Sequence, residues 1–235
     1  MAKRVGLSRN LKLPWLNKIE ELIRTETEEN AIKEKLNEYL SFEIGSATNL
    51  RKTREILMCI WYYENEYTDK LRAEAHRLIH EYPDYALEIH WCLILAAYPV
   101  FVDMCKLIGK MTEFQSELTL PQIKQKLFDE WGERTTLYHS IDKIIATLKA
   151  FDVIGSDKPG KYQIHKHVIA NGEITSFMVY AAMLIDKSAY YSLSELNTLD
   201  YLFPFEYQFK RETLMEDKRF VMNHFGGELS VAVQD

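Results

Sequence analysis

The chain has 235 residues, 47% apolar and 27% charged, which is the balance of a soluble globular protein and excludes a disordered or low-complexity one. Its net charge of −6 excludes attraction to nucleic acid over the whole surface. Three cysteines, Cys59, Cys92 and Cys105, sit in apolar surroundings without a CxxC pair, which excludes a disulfide framework and indicates buried thiols in a reducing compartment.

Residues 1–19 carry Lys3, Arg4, Arg9, Lys12 and Lys18 and no acid, giving a basic arm whose alternative is a solvated terminus. No apolar run follows those basic residues, so no secretory signal is expected. Trp15, Leu16, Ile19, Leu22 and Ile23 recur at helical spacing and predict a helix from Pro14 to Arg24. The acidic TETEEN connects it to a second helix, Ala31 to Phe42, and caps that helix. Gly45-Ser46 breaks the chain. A third helix follows with Ile56, Leu57, Ile60 and Trp61 inward and Arg51, Lys52 and Arg54 exposed in its first turns. Such a cluster suits a phosphate backbone, and equally the solvated face of a helix. Tyr62, Tyr63 and Tyr67 lie in a polar tract and are candidates for stacking on bases, against a core role for most other aromatics.

A helix around Asp69–His80 and buried helices from Tyr85 to Met111, broken at Pro99, complete an all-α N-terminal half. The most apolar window, WCLILAAYPVFV, spans 12 residues, too short for a bilayer that needs about 20. A buried core helix is the expectation, with no membrane partner and a cytoplasmic location.

The segment from Leu118 to Val168 is the most informative. Thr119 as N-cap and Pro121 in the first turn open a short helix that Gly132 ends. A second helix starts near Thr135, buries Leu137, Ile141, Ile144, Ile145, Leu148 and Phe151, and stops at Val153-Ile154. A turn-rich tip, Gly155 to Gly160, and the alternating run from Lys161 to Lys166 follow. Helix, turn, longer helix and basic hairpin make a winged helix-turn-helix pattern. Its second helix leaves Arg134, Thr135, Thr136, Tyr138, His139 and Lys143 on the face free to enter a major groove, and its hairpin offers Lys158 and Lys161 to phosphate. Glu133, Asp142 and Asp152 share that outer surface. Eight Lys/Arg against six Asp/Glu leave the module at only +2, so protein docking stays open beside DNA contact.

Beyond Val168, Asn171-Gly172 reads as a turn, and Ile174, Phe177, Met178, Ala181, Ala182 and Ile185 as an amphipathic helix. Ser192 or Ser194 caps a short helix with Leu193, Leu196 and Leu199, which ends in YLFPFEY. Two β-prone runs around Gly226-Gly227 predict a hairpin. The fold class expected is mainly α: an N-terminal helical bundle (1–112), a winged helix-turn-helix (113–170), and a C-terminal helix and β-hairpin extension (171–235).

The sequence holds few signs of catalytic or metal chemistry. His76 and His80 stand at i, i+4 without a third ligand, and His165 and His167 share a strand face at the wing, so no metal is expected. No phosphate loop, nucleophile elbow, kinase or deaminase motif appears, and neither an enzyme nor a cofactor is expected.

Three stretches carry a family resemblance: AIKEKLNEYLSFEIGSATNLRKTREIL, HWCLILAAYPVFVDMCKLIGKM and LYHSIDKIIATLKAFDVI. Together they resemble the BrxA family of BREX phage-defence systems over roughly Ala31 to Ile154, while the C-terminal helix and hairpin have no counterpart in it. The resemblance implies a small non-enzymatic DNA-binding accessory protein of a multi-protein antiviral defence system, built from a helical bundle and a winged domain. It carries over Thr48, Asn49, Arg51, Lys52 and Arg54 as contact residues. Double-stranded DNA is the partner expected, with other subunits of a defence complex. The alternative is a scaffold subunit whose winged domain docks a larger enzyme, motivated by the acidic body and an exposed Leu202–Phe205 segment.

Overall fold

The computed structural model describes residues 5–188, 190–225 and 228–234, so Lys3, Arg4 and the Gly226-Gly227 turn lie outside the described residues. The molecule is mainly helical with small sheets. Helix α1 spans Leu13–Thr25, α2 Glu29–Ser41, α3 Ala47–Trp61, α4 Thr68–Glu81, α5 Ala86–Ala97 and α6 Pro99–Thr112. Strand β1 (Leu118–Thr119), α7 (Leu120–Trp131), α8 (Thr135–Ala150), β2 (Ile154–Lys158), β3 (Lys161–Ile164) and β4 (His167–Ile169) follow. The rest comprises α9 (Gly172–Asp186), β5 (Tyr191–Ser192), α10 (Leu193–Leu196), β6 (Phe205–Tyr207), α11 (Arg211–Glu216), β7 (Phe220–Phe225) and β8 (Glu228–Val233).

The helix signals of the first half are local, and the elements appear where spacing puts them. Pro14 opens α1, Ser46 caps α3 by accepting from the Asn49 N–H, and α2 starts at Glu29 without a side-chain cap. Phe42 falls beyond α2, and its ring is 83% exposed. Pro99 lacks an N–H and holds Tyr98 extended, so α5 and α6 meet at 117°. No single helix among the described residues is long and apolar enough to cross a membrane. Buried residues from Val5 to Val231 form one connected apolar cluster.

Two buried polar groups inside that cluster are satisfied. Trp61 Nε1 donates to His90 Nδ1 at 3.0 Å, which leaves the His90 proton on Nε2, facing Asn17 Oδ1 at 2.8 Å. Burial pushes this imidazole down to about 3 and keeps it neutral. Glu20 meets His76 at 3.0 Å and Arg24 at 2.9 Å.

Thr119 and Gln122 form a capping box that opens α7, and Gly132 at φ +77° ends it, as the sequence indicates. The sheet order is β1-β3-β2, antiparallel throughout, with Leu118 opposite Tyr162 and Ile154 opposite Ile164. Two expectations here are corrected. Helix α8 stops at Ala150, because Val153 and Ile154 are pulled into the core and Asp152 turns the chain at φ +56°. Gly155 to Lys158 are strand, irregular in register, so the hairpin tip is only Pro159-Gly160, with Gly160 at φ +76°.

The C-terminal part departs most from its pattern. Asn171 is an N-cap, accepting from the Glu173 and Ile174 N–H groups, and Gly172 begins α9. That helix is not amphipathic: every residue from Ile174 to Met183 is buried, since α5 packs on one side and the C-terminal elements on the other. Ser192 caps α10 in a capping box, and Leu199 lies past the helix end yet is buried. The Leu202–Phe205 segment is buried rather than exposed, because Phe203 and Phe205 pack edge-on against Trp91, whose Nε1 donates to the Tyr201 carbonyl. Strands β7 and β8 pair as the expected hairpin; the parallel pair β4-β6 has no signal in sequence.

Candidate nucleic-acid interface

The arm is not a floppy terminus from Val5 onward. Val5, Leu7 and Leu11 are buried, and the Leu11 N–H donates to Thr147 Oγ1 on α8 at 2.9 Å. The Thr147 hydroxyl donates in turn to the Lys143 carbonyl, also at 2.9 Å. This joint lays residues 6–12 across α3 and α8. Arg9 Nη2 donates to Asn49 Oδ1 at 2.7 Å, which ties the arm to the first turn of α3. Lys12 pairs with Glu43, and the Trp15 indole donates to the same carboxylate at 3.0 Å. Lys12 first, and Trp15 second, hold that carboxyl below the usual carboxylate range.

A cleft of about 470 Å³ results, lined among others by Arg9, Asn10, Lys12, Glu43, Asn49 and Lys143. Three segments far apart in sequence, the basic arm, the start of α3 and helix α8, therefore share one wall. Lys143 stands there half-buried and without an ion pair among the described residues.

The remaining α3 residues divide. Thr48, Arg51 and Lys52 are exposed, and neither cation is ion-paired among the described residues. Arg54 is not exposed: it is half-buried, bound to Glu55 at 2.6 Å and to Asn37 at 3.3 Å. Position 54 falls three residues beyond Arg51, on the side of α3 that faces α2. The tyrosines 62, 63 and 67 are partly buried as well. The Tyr63 hydroxyl donates to Glu55 at 3.0 Å, Lys33 lies over its ring, and Lys187 lies over that of Tyr67, so these rings are structural partners rather than free stacking platforms.

On α8, Thr135, Thr136, Tyr138 and His139 are exposed on one face. Tyr138 is held down: Lys124 Nζ sits 3.4 Å from its ring centre and Phe128 stacks at 6.4 Å. Lys124 also pairs with Asp142 of α8 at 2.7 Å, which offsets that acid. Sequence spacing missed Lys124, since its two partners lie on the next helix. Arg134 leaves the free face, because its guanidinium folds back to the Trp131 carbonyl at 3.3 Å and over the Trp131 ring.

At the hairpin, Lys158 is exposed and has no ion pair among the described residues, whereas Lys161 is committed to Glu117 at 3.0 Å and draws that carboxyl below its usual range. His165 and His167 both turn to Asp152, the first to its carboxylate at 2.9 Å and the second to its carbonyl at 3.1 Å. Among the described residues no group of three or more His, Cys, Asp or Glu could hold a metal. The thiols are free, with Cys92 and Cys105 buried and Cys59 half-buried.

The chain matches no family model, no curated protein and no solved structure.

Proposed function

We propose that residues 113–170 form a winged helix-turn-helix and that the protein binds duplex DNA without catalysing a reaction, as an accessory subunit of a BrxA-like phage-defence system. The order of strand, two helices and hairpin around a β1-β3-β2 sheet supports the fold reading, with 1–112, 113–170 and 171–235 as its bundle, winged and C-terminal parts. The observation that carries the functional reading is the shared cleft, where Arg9 and Lys143 converge with Asn49 beside the open face of α8 and the cleft's Glu43 is already paired with Lys12.

In this proposal Arg9, Arg51, Lys52, Lys143 and Lys158 contact phosphates. Thr135, Thr136 and His139 read base edges, with Tyr138 fixed at their side. Thr48 and Asn49 position the first turn of α3. Arg54, Arg134 and Lys161 serve the protein's own packing, and drop from the contact set. Local binding on an acidic body makes the affinity salt-sensitive.

Fluorescence anisotropy of a labelled duplex at low and moderate salt tests this. Binding is expected at low salt, with a log–log salt slope that flattens by about 0.9 for each phosphate contact removed. The Arg51→Glu/Lys143→Glu variant should lose more affinity than Lys158→Glu. Absence of binding at low salt ends the proposal.

A further inference from the structure

A second cleft, of about 620 Å³, shares the arm and α3 as walls but opens toward the bend between α5 and α6. That volume lies within the range of small-molecule sites, roughly 300–1,000 Å³. Its lining is mostly apolar, from Ile56, Ala97, the Tyr98 ring and Pro99, with the half-buried thiol of Cys59 among them. Gly6, at φ +75°, brings the arm onto Tyr98, where a Cβ would meet the ring at 3.0 Å. Arg51 and Lys52 also line the cleft, exposed and free of ion pairs among the described residues.

The one acid of the lining, Glu55, is already engaged. Burial alone would raise its carboxyl, but the Arg54 guanidinium and the Tyr63 hydroxyl together hold it below the usual range. It stays ionised and bound, so it does not offset Arg51 and Lys52. An apolar slot lined also by two uncompensated cations favours one ligand chemistry, an anion carried on an apolar body. A neutral apolar molecule would leave both cations unused, and a bare inorganic anion would leave the apolar walls uncovered.

We propose that this cleft binds a small amphipathic carboxylate, its apolar part against Ile56, Ala97 and Pro99 and its charge between Arg51 and Lys52. The inference goes beyond DNA binding but draws on Arg51 and Lys52, which the DNA reading also uses; its readouts contain no nucleic acid, so either can fail without the other. Cys59 supplies a reporter, because it alone of the three thiols is not fully enclosed.

The probe is decanoate below its micellar concentration, read by the rate at which neutral N-ethylmaleimide modifies Cys59 in the native full-length chain. Decanoate is expected to slow that modification at least fivefold and to raise the melting temperature. Decanol and inorganic phosphate, each alone, should do neither to that extent. Arg51→Gln/Lys52→Gln should abolish protection while leaving the unliganded melting temperature unchanged, and Cys59→Ser should keep the thermal shift. Equal protection by decanol, protection that survives the double variant, or no protection by millimolar decanoate would each overturn the proposal.

Discussion

Replacing Thr147 with valine tests the joint that lays the arm on α8. Thr147 is fully buried, and its hydroxyl both accepts the Leu11 N–H and donates to the Lys143 carbonyl. Valine keeps the shape of the side chain, so no cavity forms, but the Leu11 N–H is left buried without a partner. A stranded buried donor costs about 1–3 kcal/mol. In a chain of this length each kcal/mol moves the melting temperature by about 2–4 °C, so the valine variant should melt about 2–12 °C lower. Thr147→Ser is the control. It keeps the hydroxyl and removes one methyl, at about 0.5–1.5 kcal/mol for a deletion of that size in a core. Urea denaturation of the three proteins, with hydrogen exchange at the Leu11 amide, measures both effects. The serine variant should retain a protected Leu11 amide and the valine variant should lose it. A valine variant as stable as the parent, with Leu11 still protected, refutes the docking of the arm through this bond. So does a serine variant that costs as much as valine with the same loss of protection. On the DNA reading, the valine variant also binds duplex more weakly, although Thr147 is inaccessible to any ligand.

Burial raises the Glu88 carboxyl above its ordinary range, and its Oε2 finds no hydrogen-bond partner among the described residues. Its favourable contribution is therefore complete below the unfolded value of about 4.3 and is lost as pH rises through the folded value. Glu88→Gln should flatten that decline and gain stability at pH 7 relative to pH 4, and parallel urea-stability profiles for the two proteins would refute it. A Cβ at Gly109 would lie 2.2 Å from the Asp200 carbonyl oxygen, so Gly109→Ala should cost about 1–3 kcal/mol or more as α6 is forced away, checked by thermal denaturation. Lys124→Met leaves Asp142 uncompensated beside α8 and should weaken duplex binding, while adding Asp142→Asn should restore it; equal affinities across the series would show that this ion pair does not set the charge of that face.

The candidate interface was partly legible in the chain. Thr135, Thr136, Tyr138 and His139 are exposed on α8 because helical periodicity alone assigns the opposite face to the core. Arg54, Arg134 and Lys161 were not legible, because the side chains that engage them, Asn37, Trp131 and Glu117, come from other elements or fold back through a turn. Periodicity says which way a side chain points, and says nothing of which charge waits there. Glu55, the neighbour of Arg54 in sequence, is its partner and also accepts from the Tyr63 hydroxyl from further along the chain.

Local signals sufficed for the helices of the first half, for the capping box at Thr119 and Gln122, for the break at Pro99 and for the C-terminal hairpin, since caps, prolines and periodic apolar faces act within one or two turns. Tertiary packing alone decided that α9 is buried on all sides, that Phe203 and Phe205 enclose Trp91, and that the arm lies on α8 beside Asn49. The arm contacts bring together segments 40 and 136 residues apart, the separations of Arg9 from Asn49 and of Leu11 from Thr147. A contact of that reach exists only once the core that holds both ends has closed, and no window of sequence contains it.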